Sequence, residues 1–283
     1  MTDAFRIMGV VNVTPDSFSD GGRYLDPDKA VAHGADLHAQ GAQILDVGGE
    51  STRPGAEPVA EQEELRRVLP VIEALASSPD VQAQLSIDTS KATVARAALA
   101  AGASLVNDVT ALRGDPEMVS VVAASGAECC LMHMLGEPRT MQRDPRYDDV
   151  VSEVKSFLEA RMAFAVSEGV AERRIMLDPG IGFGKTVEHN LELLRRLDEL
   201  TGLGRPLVIG TSRKSFLGRI TGRGLDARVA ATVATNVLAY ERGARVFRVH
   251  DVGPVHDALA VTAATVTGAW PPTTPTSSTM STT

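Results

Sequence analysis

Asp, Asn, His, Lys and Arg recur in this chain immediately after short apolar runs, where a side chain is placed to meet a ligand rather than to pack. Asn12 follows Ile7 to Val11, Asp46 and Glu50 flank the end of Gln43 to Val47, and Asp88 follows Gln84 to Ile87. Asn107 and Asp108 follow Ser104 to Val106, His133 follows Cys129 to Met132, and Asp178 follows Ile175 to Leu177. Ser212, Arg213 and Lys214 come after Pro206 to Ile209, and Arg248, His250 and Asp251 come at the end of Val246 to Val249. Any one of them is accounted for by a helix cap or a turn, since Asp, Asn and Ser favour both. Eight in series are better explained by convergence on a binding site. The set offers carboxylates to accept N–H donors and cations to face an anion, with no nucleophile and base arranged as a triad.

Three glycine-rich segments adjoin these positions: Asp20-Gly21-Gly22, the stretch GGESTRPG from Gly48 to Gly55, and Gly180-Ile181-Gly182-Phe183-Gly184-Lys185. Glycine there permits close backbone approach and loop movement. The last segment is not a phosphate loop, because the first required glycine falls at Pro179. Nor is it a dinucleotide fingerprint, because Lys185 stands at the third glycine. No HExxH occurs, and His33, His38, His189 and His256 fall in helical stretches without metal-ligand spacing. His133 and His250 alone stand at the ends of apolar runs.

Eight apolar runs separated by helical segments must position these groups. Runs apolar on both faces suit parallel strands buried between a barrel interior and a helical layer, so the expected fold is a single-domain (β/α)8 TIM barrel. A doubly wound open sheet shares the alternation, and the count of eight favours the barrel. Both topologies bind ligands beyond the carboxyl ends of the strands. Asp26-Pro27 and Asp115-Pro116 predict helix starts, and Gly41, Gly102, Gly126, Gly169 and Gly243 predict helix ends. Leu65, Val68, Leu69, Ile72 and Leu75 line one helical face, inside which Pro70 is expected to kink or interrupt the helix.

The 283 residues fit one domain over 1–270, and the Pro/Thr/Ser-rich 271–283 has too few apolar groups to fold and is expected to be disordered. A net charge of −8 argues against nucleic-acid binding, which needs clustered cations. Cys129 and Cys130 are adjacent within an apolar run and read as buried core. With no signal-like start and no run near the roughly 20 apolar residues of a membrane span, the expected setting is the cytoplasm without membrane contact.

Asn12-Val13-Thr14-Pro15-Asp16-Ser17-Phe18-Ser19-Asp20-Gly21-Gly22 resembles the first signature of dihydropteroate synthases, and further segments agree in order. These are GGESTRPG, Asn107-Asp108, MHMLGEPRTMQ from Met132, DPGIGFGKT from Asp178, SRKSFLG from Ser212 and RVHDV from Arg248. The resemblance implies a transferase of folate biosynthesis. Such an enzyme joins 6-hydroxymethyl-7,8-dihydropterin diphosphate to 4-aminobenzoate, releases diphosphate, depends on magnesium, is inhibited by sulfonamides and works as a homodimer.

By the same resemblance, Asp178 receives the paired N–H donors of the pterin, Asn107 and Asp88 complete that edge, Lys214 donates to the pterin, Arg248 stacks on it, and Met132 packs beneath. Asn12, Arg248 and His250 would face the diphosphate, with Asn12 as the magnesium ligand. Asp88 and Asp20 would stabilise positive charge developing at the pterin methylene, in a dissociative substitution. Phe18, Thr52, Pro54 and Phe183 would surround the 4-aminobenzoate ring, Ser215 would receive its carboxylate, and Arg53 would steady the loop or the diphosphate. A pterin-dependent methyltransferase and a non-catalytic pterin-binding paralogue are the alternatives; the first has no use for STRPG, and the second none for an intact set of Asn12, Asp88, Lys214 and Arg248.

Overall fold

A computed structural model describes residues 5–14, 27–53 and 55–269. Its elements are β1 (Arg6–Asn12), α1 (Pro27–Ala39), β2 (Ile44–Gly48), α2 (Glu61–Ser77), β3 (Gln84–Asp88), α3 (Ala92–Ala100), β4 (Leu105–Asp108), α4 (Met118–Ser125) and β5 (Glu128–Met132). They continue as α5 (Val150–Ser167), β6 (Ile175–Asp178), α6 (Val187–Arg195), α7 (Asp198–Thr201), β7 (Val208–Ile209), α8 (Ser215–Thr221), α9 (Val229–Glu241), β8 (Val246–Val249) and α10 (Val252–Thr267). The strands pair in parallel in the order β6-β5-β4-β3-β2-β1-β8-β7. The ring closes where the Leu177 amide donates to the Pro206 carbonyl at 3.0 Å, beside a parallel bridge from Leu177 to Leu207. This is the expected (β/α)8 barrel, and the open-sheet alternative falls with that closure.

The strands are apolar on both faces because both are covered. Met8, Ile44, Leu105, Cys130, Met176, Val208 and Val246 form one buried cluster inside the barrel. Ile7, Leu45, Leu85, Val106, Leu131, Leu177, Ile209 and Phe247, on the alternate positions, belong to the core under the helices. At the amino-terminal end of the strands Arg6 Nη1 donates to Gln84 Oε1 at 3.1 Å, and Gln84 Nε2 donates to Glu128 Oε2 at 3.2 Å. That polar plug and the apolar layer above it seal the barrel from below, leaving ligand access at the carboxyl ends.

All five glycines expected to end helices have positive φ, between +67° and +119°. Pro27 opens α1 as expected; Asp26 lies outside the described residues, as does 271–283. The Asp115-Pro116 expectation needs correction, because α4 begins only at Met118 with Glu117 before it. Asp115 instead caps a neighbouring helix: its Oδ2 accepts from the Ala92 amide of α3 at 2.9 Å while its Oδ1 accepts from Glu117 N at 2.9 Å. Cys129 and Cys130 are buried free thiols, and desolvation raises the pKa of both.

The second correction is Pro70, which lies within an uninterrupted 17-residue α2. Burial of Val68, Val71, Ile72 and Leu75 holds the helix against the barrel, and exposed Pro70 sits on the opposite side. Tertiary packing therefore outweighs the missing intrahelical bond. Pro70→Ala restores a donor for the preceding turn, partly offset by greater freedom of the unfolded chain, and is expected to stabilise by about 1–2 kcal/mol. Urea unfolding checks this; equal or lower stability would mean that α2 has adapted its backbone to Pro70.

Candidate active site

The carboxyl ends of the strands gather around Arg248. On β8 its Nε donates to Asp46 Oδ2 at 2.7 Å and its Nη2 to Asp88 Oδ2 at 2.7 Å, from β2 and β3. Asp46 is fully buried and also accepts from Ser86 Oγ at 2.5 Å and Asn107 Nδ2 at 2.9 Å. Strand register makes this possible, since Asp46 pairs with Ser86 and Asp88 with Asn107 across neighbouring strands. Burial works against the guanidinium charge, but the two carboxylates more than offset it and keep Arg248 cationic. Desolvation pushes Asp88 above its ordinary range; Arg248 opposes that rise and Asp46 adds to it.

Asp178, on β6, is buried across the ring and its Oδ1 accepts from Gly180 N at 2.7 Å. Burial raises its pKa, while that hydrogen bond and the charges of Lys214 and Arg248 draw it down. Lys214 is pushed down to about 8, first by burial and then by Arg248. Its Nζ lies 4.0 Å from the centre of the Phe183 ring, a cation-π contact. Phe183 in turn packs on Met132, Met134, Met141 and Val109, an apolar wall beside Asp178.

The DPGIGFGKT loop reaches this position only because of its glycines. Gly180 has φ +67°, and a Cβ there would stand 1.9 Å from the His133 carbonyl. Lys185 anchors the far end of the loop: 3% exposed, its Nζ donates to Phe183 O at 3.0 Å and lies 2.9 Å from His133 Nδ1. Burial first, then the Lys185 charge, lowers His133 to about 2, so the ring is neutral and accepts at Nδ1. His133 is thus a support for this loop.

His250 is also neutral, lowered to about 3 by burial and then by Arg248. Its backbone N–H donates to Ser212 Oγ at 3.1 Å, and its Nδ1 lies 3.0 Å from the same oxygen. If Ser212 accepts from the amide and donates to Nδ1, the ring proton is on Nε2, which makes His250 a donor to an anion.

Around the rim, Asn12 ends β1 opposite Gly48, Thr52 is half-buried, and Arg53 and Ser215 are exposed, Ser215 opening α8. Phe18, Asp20 and Pro54 lie outside the described residues. Other polar strand ends serve the loops themselves. Asp108 accepts from the amides of Thr110 and Leu112, each at 2.8 Å, and Arg213 makes a two-pronged ion pair with Asp251 at 2.9 and 2.6 Å.

Comparison with known proteins agrees with this arrangement. Residues 8–250 match the pterin binding enzyme family. The dihydropteroate synthase of Escherichia coli K12 is 44% identical over 261 residues, covering 92% of either chain. The Yersinia pestis dihydropteroate synthase, solved as a complex with a sulfonamide drug, superposes with a TM-score of 0.89 at 44% identity, covering 94% of this chain and 96% of that one. The Xanthomonas albilineans enzyme, solved with 7,8-dihydropteroate, does so with a TM-score of 0.84 at 46% identity over 96% of each chain. The chain belongs to the dihydropteroate synthase family. It is therefore a transferase.

For a member of that family, the structure brings Asp88, Asn107, Met132, Asp178, Phe183, Lys214, Arg248 and His250 to one end of the barrel. It also adds groups to which the sequence assigned no role. Asp46 stood among the polar strand ends, yet its place as the shared acceptor for Arg248, Asn107 and Ser86 required the register. Ser86 precedes Asp88 by two and so shares its inward face, a signal that period-2 counting could have used. Lys185 carried no signal beyond its loop.

Lys185 supplies a pH prediction. Its folded pKa is lowered to about 7, chiefly by burial. Below pH 7 the amine is charged in both states and burial costs the fold in full. Between pH 7 and its unfolded value near 10.4 the unfolded chain binds more protons, so this cost disappears as pH rises. The stability of the unaltered protein minus that of Lys185→Met should therefore increase from pH 6.5 to 9.5 in urea unfolding. A flat or falling difference refutes a depressed Lys185.

Proposed function

We infer that the chain condenses 6-hydroxymethyl-7,8-dihydropterin diphosphate with 4-aminobenzoate, giving 7,8-dihydropteroate and diphosphate. The observation that carries the residue assignment is a buried carboxylate, Asp178, facing across the barrel a cation held on two further carboxylates. A pterin's amino-pyrimidinone edge presents adjacent N–H donors, which Asp178 accepts in paired fashion. Asn107 spends its Nδ2 on Asp46 and so offers its Oδ1 to the ligand. Lys214 donates to the pterin acceptors, Met132 supports one face of the ring, and the guanidinium plane of Arg248, already fixed by Asp46 and Asp88, covers the other.

The reaction transfers the pterin methylene from oxygen to nitrogen. As the carbon–oxygen bond breaks, its electron pair leaves on the diphosphate, where Arg248 and the Nε2–H of His250 meet the growing negative charge. The methylene left behind carries positive charge delocalised into the pterin, and the Asp88 carboxylate, with Asp20 from the first loop, stabilises it. The arylamine lone pair forms the carbon–nitrogen bond, and the proton it sheds passes to diphosphate or water. The amine is neutral at physiological pH, so no strong base or covalent nucleophile is needed. Thr52, Phe183, Phe18 and Pro54 surround the aryl ring, Ser215 at the start of α8 receives its carboxylate, and Arg53 steadies the loop or the departing diphosphate.

The donor set suits a substrate-borne magnesium ion. Among the described residues no group of three or more His, Cys, Asp or Glu is arranged to hold a metal, whereas the Asn12 amide is a hard oxygen donor at the end of β1. Mg2+ is commonly held by one or two protein oxygens, substrate phosphates and water. The Asn12 amide oxygen would hold such an ion, whose charge would neutralise the leaving diphosphate.

Exposed Leu238, Val261 and Val266 on α9 and α10 support a homodimer, which a monomeric sedimentation coefficient would overturn. No helix among the described residues is long and apolar enough to cross a membrane, which is compatible with a cytoplasmic setting.

Purified protein with the pterin diphosphate and magnesium should release diphosphate only when 4-aminobenzoate is added, and a sulfonamide should compete with that amine. Asp178→Ala should lose the release by at least about 100-fold, a loss of roughly 2.7 kcal/mol or more in transition-state stabilisation. Tight pterin binding without release would instead identify a non-catalytic paralogue, and amine-independent chemistry would favour the methyltransferase reading.

A further inference from the structure

The loop between β2 and α2 carries Thr52 and Arg53, and its ends are tied down by an ionic cluster outside the pterin floor. Lys91, on the residue preceding α3, extends its Nζ to two carboxylates, Glu50 at the start of the loop and Glu64 in the first turn of α2. The contact to Glu64 Oε2 is 2.5 Å. Glu50 spans the loop, because its other oxygen, Oε1, accepts from Val59 N at 3.3 Å. One residue earlier, Gly49 rests directly on α2: a Cβ there would stand 2.8 Å from Val68 Cγ1 and 3.0 Å from Glu64 Cγ, and Arg67 Nη1 donates to its carbonyl at 2.9 Å. The base of the loop is thus fixed by Gly49, Glu50 and Val59, and an exposed ion pair from Arg139 to Glu57 meets the loop further out.

The base is costly to the fold. Glu64 is 0% exposed, and its Oε1 is buried with no hydrogen-bond partner, while Glu50 and Lys91 are only about a quarter exposed. Desolvation opposes the Lys91 charge, but the hydrogen bonds to Glu50 and Glu64 prevail and raise its pKa above the ordinary value. An apolar side chain at Glu64 would fill the same space without an orphan oxygen, and buried ion pairs are poor sources of stability. What the cluster does secure is position. Lys91 lies three residues after Asp88, so one short segment connects the pterin floor with the base of the loop.

We propose that Lys91 and Glu64 are positioning residues for the arylamine half of the site, acting through Glu50 to hold the Thr52–Arg53 loop in register with the pterin. This rests on the synthase reading above. On that reading the pterin meets Asp178, Asn107, Lys214 and Arg248, none of which is hydrogen-bonded to the cluster, and Glu64 reaches the pterin floor only through its charge at Asp88, so pterin affinity should respond less than amine affinity. The arylamine and its sulfonamide competitors depend on the loop.

The test is steady-state kinetics of the full chain, with calorimetric pterin binding measured separately, for Lys91→Met, Glu64→Gln and Lys91→Arg. Loss of a charge-assisted hydrogen bond at the loop base should raise the KM for 4-aminobenzoate about ten-fold or more in Lys91→Met, with sulfonamide inhibition weakened in parallel. The KM for the pterin diphosphate and the calorimetric pterin affinity should change by no more than about three-fold, because no pterin contact is hydrogen-bonded to the cluster. Glu64→Gln, which keeps size and an acceptor, should shift the same constant less, and Lys91→Arg should restore much of it. An unchanged amine KM in an active Lys91→Met, or equal loss of amine and pterin affinity, overturns the proposal. So does a Glu64→Gln variant with unaltered amine KM should Lys91→Met fail to fold. An unaltered protein that binds pterin but releases no diphosphate would instead reject the synthase reading itself.

Discussion

A guanidinium held between two carboxylates inside a barrel organises everything around it. Arg248 alone would be prohibitively expensive to desolvate, and so would Asp46 or Asp88; together the single cation offsets most of the cost of both carboxylates and the three are geometrically fixed. The triad draws β8, β2 and β3 to a common point, and Asn107 and Ser86 extend it to β4 through Asp46. With hydrogen bonds spent on both sides, the guanidinium plane has little freedom left. A flat ligand meets a surface already oriented, and no reorganisation is required when charge separates.

Such a cluster survives only in a particular stack of layers. Beneath it lies the apolar ring of Met8, Ile44, Leu105, Cys130, Met176, Val208 and Val246, which keeps water from reaching the charges from below. Beneath that, Arg6, Gln84 and Glu128 close the amino-terminal end. The same inward strand positions therefore carry charge, then hydrocarbon, then charge, and the apolar layer makes the upper charges interact strongly through low dielectric. Perturbed groups follow from the layering: Lys214, Lys185, His133 and His250 are all pushed toward their neutral forms, and neutral imidazoles serve as supports or hydrogen-bond donors.

The strand count, the parallel order and the polar strand ends were all legible in the residue pattern, because both-faces-apolar runs and terminal Asp, Asn, Arg and His are local properties. Eight strands also implied the ring. What pattern could not supply was pairing at a distance. Asp46 and Asp88 look alike after their runs, yet one is a fully buried acceptor for three donors and the other retains a face toward the pocket. Asp108 and Arg213, polar strand ends of the same kind, turn back onto their loops. Asp115 reads as the cap of the helix that follows it and instead caps α3. Pro70 reads as a break, but the packing of α2 against the barrel decides otherwise. Apart from Asp108, which bonds to Thr110 and Leu112 close by, a local preference was overruled by a partner distant in sequence, and such partners are set by register and helix packing rather than by composition.

The two halves of the site are built on different physical terms. On the proposed function, the pterin half stands on strands, with Asp178, Asn107 and Arg248 locked by backbone register and buried hydrogen bonds, so its geometry is set at folding. The arylamine half, on the same reading, stands on loops, whose chain must leave the barrel and return; DPGIGFGKT is pinned by glycine contacts and Lys185, and the start of the loop after β2 by Gly49, Arg67 and the Glu50–Lys91–Glu64 cluster. A rigid half suits a ligand whose hydrogen-bonding edge must be read in one orientation. A tethered half suits a small amine that must enter, react once and depart as part of a larger product, since a loop can yield where a strand cannot. Tethers at the base reconcile these demands, because they fix where the loop begins and ends and leave less of its geometry to be set by the ligand.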